Sequence, residues 1–199
     1  MITIAIDPGA SGGIAVHDHT DIIRRGGFVG AHNMPETERD LTELLKDLTR
    51  LNQGRGFDEE RRLRDLWHRG RDGGCDYDHG SAKAFVEEVG GYIGRPQPGS
   101  AMFKFGRNFG YILGTLSALD IPVTLIKPQK WQKQLGLGTS KGMTKTQWKN
   151  KLKAEAQRRH PKLKVTLMTA DALLILDAAT TYLPTNQNIN TKEKENTNE

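Results

Sequence analysis

Apolar residues occupy every second position at the start of the chain, Ile2, Ile4 and Ile6, and this alternation predicts a strand that ends on Asp7. Pro8-Gly9 and Gly12-Gly13 then read as a turn into a second strand, Ile14-Ala15-Val16, and Ile22-Ile23 with Gly27-Phe28-Val29 suggest a third. The period changes at about Glu36–Leu51, where Leu41, Leu44, Leu45, Leu48 and Leu51 fall at helical spacing. Ala84-Phe85-Val86-Glu87-Glu88-Val89 is a fourth strand, and a loop with Pro96 and Pro98 leads to a helix capped by Ser100. Ile121–Ile126 is a fifth strand, with proline only near its start. Helices are predicted at Gln129–Leu135, Lys145–Arg159 and Met168–Leu183. Three antiparallel strands followed by strands reached through helical crossovers define an α/β protein, a mixed five-stranded sheet (βββαβαβα) with helices on both faces.

Two segments break this pattern. Gly54–Gly80 is rich in Arg, Asp and Gly with few core residues, and reads as an inserted mobile loop. Residues 185–199 hold one aliphatic side chain and no period, and read as a disordered tail, leaving a single domain over 1–184. The second long helix carries Gly106, Gly110 and Gly114 in one stripe, and predicts close packing of that helix on the sheet, because mid-helix glycine costs on the order of 1 kcal/mol without such a reason.

A mean hydropathy of −0.61 is low for a compact enzyme and fits segments lying outside a core. Cys75 is the only cysteine, so no intramolecular disulfide can form, as expected in a reducing compartment. The N-terminus lacks a basic leader and no apolar run approaches the roughly 18 residues of a membrane span, so the expectation is a cytoplasmic protein without membrane contact. Net charge is +5, but its distribution changes the picture. Lys127 to Lys164 carries twelve Lys or Arg against one acid, Glu155, a net of +11 that leaves −6 for the remainder. A solvated helix face mixes both signs, whereas near-absence of acids over this length favours a polyanion partner.

The first and fourth strands can lie side by side, which places Asp7 next to the Glu87-Glu88 pair. Side chains alternate along a strand, so only one of the pair shares the face of Asp7. An acid within Ala-Phe-Val-Glu-Glu-Val is costly unless something binds it, and a metal would satisfy it. Asp171 opens an apolar helix, where helix capping is the plainer explanation of a carboxylate. A carboxylate beside a glycine hairpin also begins nucleotide-binding kinase folds, but those carry a second phosphate-binding glycine hairpin and none is visible here.

Taken in order, Ile6-Asp7-Pro8-Gly9-x-x-Gly12-Gly13, Val86-Glu87-Glu88-Val89, Ser100-Ala101-Met102-Phe103-Lys104-Phe105-Gly106, Pro128-Gln129-Lys130-Trp131 and Ala170-Asp171-Ala172-Leu173-Leu174-Ile175 resemble the RuvC-like Holliday junction resolvases, especially their bacteriophage branch. The resemblance spans about Met1–Pro184 apart from Gly54–Gly80. It implies an RNase H-like fold, a homodimer, nicking of branched DNA, and two Mg²⁺ ions, replaceable by Mn²⁺, on a carboxylate cluster. By the same resemblance Asp7 would bridge both ions, Glu87 would bind one, and Asp171 would be the acid of the last helix. The family has a further acid or histidine one turn earlier, where this chain has Leu167 and Met168. Glu88 and Asp177 are the possible substitutes, although Glu88 alternates away from Glu87 and six residues at about 100° each turn Asp177 off the face of Asp171. A junction- or fork-binding protein with weak or no cleavage is the alternative that this gap leaves open.

Candidate DNA contacts are Phe103, Lys104, Phe105 and Arg107 on the helix after the Glu87 strand, where an exposed aromatic stacks on bases for about 1–3 kcal/mol each. In the basic segment they are Lys127, Lys130, Lys133, Lys141, Lys145 and Lys149, expected on backbone phosphate, while Trp131 and Trp148 are expected as core anchors. His68, Cys75 and His79, with Asp76 and Asp78, fit no standard zinc spacing, so a mobile, charged loop is the better reading of that insertion, with Arg61, Arg62, Arg64, Arg69 and Arg71 as its candidate contacts to DNA.

Overall fold

A computed structural model describes residues 1–19, 27–50, 82–90 and 99–180. The insertion, the tail, Ile22-Ile23 and the His68–His79 group fall outside the described residues. Strands β1 (Ile2–Asp7), β2 (Gly13–Asp18), β3 (Phe28–Asn33), β4 (Ala82–Glu87) and β5 (Val123–Ile126) form one sheet in the order β3-β2-β1-β4-β5. β1 pairs antiparallel with β2 and β2 with β3, whereas β1 with β4 and β4 with β5 are parallel. This is the expected mixed sheet, with the connectivity of the RNase H-like fold. β3 ends later than its apolar residues suggest, because its pairing with β2 runs on through Ala31 to Asn33, opposite Gly13.

The helices are α1 (Glu38–Arg50), α2 (Gly99–Ala118), α3 (Pro128–Gln134), α4 (Lys145–Arg159) and α5 (Ala170–Thr180). Ser100 lies inside α2 rather than capping it. α4 begins on a capping box, in which the Thr144 hydroxyl accepts from the Gln147 amide while the Gln147 side chain accepts from the Thr144 amide.

Strand alternation divides the core in two. Ile2, Ile4, Ile6, Ala84 and Val86 face Leu41 and Leu45 of α1 and Ile112 and Leu116 of α2. Ala5, Ala15 and Phe85 face the other way, onto α5 and the buried Trp131, Trp148, Leu152 and Ala156 of α3 and α4. Alanines at the centre of the sheet let α5 approach closely, and α5 is accordingly apolar on nearly all sides. Asp7 continues the Ala5 face, and Glu87 continues the Phe85 face in the register Ala5↔Phe85. Both acids therefore point to the α5 side.

The hairpin glycines are required by close backbone approach. A Cβ on Gly12 would stand 2.1 Å from the Asp7 carbonyl oxygen, and one on Gly13 would stand 2.7 Å from the Met168 carbonyl oxygen. Gly12→Ala is expected to destabilise the protein by roughly 3 kcal/mol or more through this backbone clash, read as a lowered denaturant midpoint at unchanged slope. A midpoint within error of wild type would contradict the hairpin geometry.

The glycine stripe departs from expectation. No described atom lies within 4 Å of a Cβ added to Gly106, Gly110 or Gly114, so the stripe faces away from the sheet. The apolar residues that α2 buries are Ile112 and Leu116, on its other side.

Candidate active site

Asp7 and Glu87 end neighbouring parallel strands, and α5 brings Asp171 over them. Asp7 is 8% exposed and Asp171 6%, both far below the usual range for acids. One Asp7 oxygen accepts from the Gly9 amide at 3.1 Å, so the hairpin orients the carboxylate that precedes it. Glu87 accepts from the Trp131 indole N–H at 3.2 Å. The loop beyond Asp7 is held by Asn108 of α2, whose amide donates to the Pro8 carbonyl at 2.9 Å. Asp171 pairs through Oδ2 with the Lys149 ammonium, while its buried Oδ1 has no hydrogen-bond partner.

The electrostatics record three acids crowded together. Burial, then the nearby Asp171 charge, hold the Asp7 carboxyl above the usual range, against the Gly9 amide and Lys149. Burial and then the Asp7 charge push Glu87 up to about 7, opposed by the Trp131 N–H and Lys149. Burial works against the Lys149 ammonium, but Asp171, Asp7 and Glu87 outweigh it and raise its pKa.

A stability consequence follows for the protein without metal. Unfolded Glu87 titrates near 4.5 and folded Glu87 near 7, so between these values the folded state binds the extra proton. Stability from this group therefore falls as pH rises from about 4.5 to about 7, and the penalty is complete above 7. Glu87→Gln is expected to raise metal-free stability at pH 8 by on the order of 3 kcal/mol, and to change it little at pH 4.5. Equal shifts at both pH values in thermal melts would show that Glu87 is not charged and uncompensated in the fold.

Asp7 and Glu87 open into a hollow of about 610 Å³, also lined by Gly9, Glu88, Phe105, Lys127 and Gln129. Glu88 thus borders the same space: it lies one residue past the end of β4, where strand alternation no longer fixes its direction. Phe105 lines the hollow, and Phe103 is 71% exposed, so α2 presents an aromatic to solvent. Lys104 and Arg107 are exposed, the latter with Glu38 at 3.5 Å. Lys127, Lys130, Lys133, Lys141 and Lys145 are exposed along α3, the following loop and the start of α4.

One candidate is placed differently from expectation, and another lies off the cluster as its angular offset indicated. Lys149 turns inward onto Asp171 instead of outward to phosphate, because Trp148, Leu152 and Ala156 anchor its helix against α5. Asp177 pairs with His160 at 3.0 Å and lies near Arg159, two turns from Asp171, and so serves the α4–α5 contact rather than the acid cluster. Three contributors were not anticipated. Trp131 and Asn108 carry no local signal of their partners. Lys149 does carry one, since it stands three residues before Leu152 and seven before Ala156, at the margin of the buried stripe.

The donors are hard oxygens of the kind that Mg²⁺ or Mn²⁺ takes, and Asp171 Oδ1 is a buried acceptor left without a partner. Among the described residues, however, no three His, Cys, Asp or Glu side chains stand arranged to hold an ion as they are, with Lys149 already paired to Asp171. The described helices include none long and apolar enough to cross a membrane.

An RNase H-like α/β protein with a buried acid cluster over the centre of its sheet is the class that fold and site define. No family model matches the chain, and no curated protein matches it. Among solved structures it is similar to the Thermus thermophilus RuvC structure, at 18% identity and a TM-score of 0.45, covering 92% of this chain and 95% of that one. It is similar also to T. thermophilus RuvC in complex with Holliday junction substrate, at 16% identity and a TM-score of 0.45, covering 92% and 94%.

Proposed function

We propose that the protein is a metal-dependent, structure-specific endonuclease that nicks four-way and other branched DNA, a homodimer of the kind found in the bacteriophage branch of the RuvC-like resolvases. The observation that carries this reading is the juxtaposition of Asp7, Glu87 and Asp171: burial and mutual repulsion raise the first two, and the one ammonium beside them, Lys149, does not offset the three acids. Asp7, Glu87 and Asp171 would hold Mg²⁺, which when bound lowers the pKa of an attacking water and stabilises charge on the leaving oxygen. Asp7 is kept in position by the Gly9 amide, and Glu87 by the Trp131 indole. The hollow beside them admits a sugar-phosphate backbone between Phe105 and Lys127, and the exposed lysines of the +11 segment supply salt-dependent affinity. Phe103 is free to stack on an unpaired base near a branch point. The open stripe of Gly106, Gly110 and Gly114 suits close packing against the same helix of a second copy, giving two sites for two strands.

The second reading, a junction-binding protein with weak cleavage, is favoured by one feature, the Lys149–Asp171 pair in place of a fourth acid. A synthetic four-way junction separates the two. Paired nicks are expected with Mg²⁺ or Mn²⁺ and not with chelator, and linear duplex of the same sequence should stay intact. Retarded junction with no metal-dependent product would overturn the nuclease reading and leave the binding one.

A further inference from the structure

Asn108 is the polar member of an otherwise apolar row on α2. It stands four residues before Ile112 and eight before Leu116, both wholly buried, and three after Phe105, which lines the hollow beside Asp7. Asparagine is a weak helix former, and a part-buried amide is costly without a partner, so its place in this row calls for a bond. That bond runs from Nδ2 to the Pro8 carbonyl, 100 residues away in the chain.

The Pro8 carbonyl and the Gly9 N–H belong to one peptide unit. The unit is planar, and in its trans form the carbonyl oxygen and the amide hydrogen point opposite ways. Asn108 grips the oxygen end at 2.9 Å, while Asp7 Oδ1 accepts from the hydrogen end at 3.1 Å. Turning the peptide therefore breaks both bonds together. A carbonyl that accepts a hydrogen bond also polarises its own N–H into a better donor. Asp7 needs such a guide, because the last torsion of an aspartate is broad: the end of β1 places the side chain without fixing the plane of its carboxylate.

We propose that Asn108 is a positioning residue for the acid cluster, holding the Pro8–Gly9 peptide so that the Gly9 N–H sets the orientation in which Asp7 meets a divalent cation. The proposal rests on the nuclease reading and adds to it a residue that touches neither metal nor DNA. One face of α2 then carries both Phe105, which borders the hollow, and the clamp on the turn beside Asp7.

Two variants remove the donor in different ways. Asn108→Leu keeps the bulk of the side chain, and Asn108→Ala keeps the helix while removing all reach to Pro8. Circular dichroism verifies folding, amide NMR of the metal-free protein follows the Gly9 N–H, electron paramagnetic resonance gives Mn²⁺ affinity, and mobility shift and single-turnover cleavage use a four-way junction. In both variants the Gly9 amide is expected to move upfield and exchange faster with solvent. Mn²⁺ affinity and the cleavage rate are expected to fall by about tenfold, as for other partners that orient a metal-binding carboxylate, with junction affinity unchanged. A wild-type Gly9 amide or a wild-type Mn²⁺ affinity in either folded variant overturns the positioning role and leaves the nuclease reading intact. Wild-type behaviour in Asn108→Leu alone would identify the contact as packing and overturn it equally, and failure of both variants to fold would make Asn108 a folding residue. Wild-type protein that neither binds Mn²⁺ nor cuts the junction overturns the nuclease reading and this proposal with it.

Discussion

Asp7→Asn should abolish junction cleavage, by about a thousandfold or more, while leaving junction affinity within about threefold of wild type. The size follows from the position of Asp7 at the centre of the acid cluster: losing several kcal/mol of metal-derived transition-state stabilisation, about 4 kcal/mol, corresponds to that factor in rate. The fold should survive, because asparagine keeps the shape of aspartate and its Oδ1 can still accept from the Gly9 amide. Burial and the Asp171 charge hold the Asp7 carboxyl above its usual range, so replacing it with a neutral amide relieves repulsion in the metal-free protein. The melting temperature in chelator at pH 8 should therefore equal or exceed that of wild type. Single-turnover cleavage, electrophoretic mobility shift and thermal melting read the three quantities separately. Cleavage within tenfold of wild type would remove Asp7 from the reaction, whatever the other two showed.

Trp131→Ala should cost roughly 3–5 kcal/mol of stability, on the order of 10 °C in melting temperature. Trp131 is wholly buried among Phe85, Ile126 and the residues of α5, and it also donates to Glu87. Truncation thus opens a cavity under the sheet and frees an acid of the cluster. Trp131→Phe separates these effects, since it keeps much of the packing but removes the indole N–H. Its melting temperature should fall by much less, and the Glu87 pKa, followed by carboxyl NMR, should rise further above 7 because a hydrogen bond that favours the charged form is lost. A Glu87 pKa unchanged in Trp131→Phe would show that the Trp131 contact is packing alone.

The glycine stripe shows why sequence periodicity alone misassigns a face. Gly106, Gly110 and Gly114 make one row of α2, but a row of small residues packs equally well on a sheet, on a neighbouring helix or on a second copy. Only the orientation of Ile112 and Leu116 toward the core decided that the row faces outward. Asp177 was resolved in the same way. Its angular distance from Asp171 was computable from the sequence, whereas its pairing with His160 depends on how α4 crosses α5.

The sequence by itself determined the mixed five-stranded sheet with helices on both faces, and that only one of Glu87 and Glu88 can share the face of Asp7. These rest on alternation within single strands and on the handedness of short connections, which are local rules acting over a few residues. It also exposed the +11 segment and the absence of a fourth acid near Met168. Tertiary structure alone decided which of the six candidate lysines in that segment turns inward. Lys149 could be read equally well as a phosphate contact until α4 was docked against α5, because a cation's role depends on whether the nearest negative charge belongs to the protein or to its ligand. That charge lies 22 residues away in the chain and comes to Lys149 only through the packing of Trp148, Leu152 and Ala156.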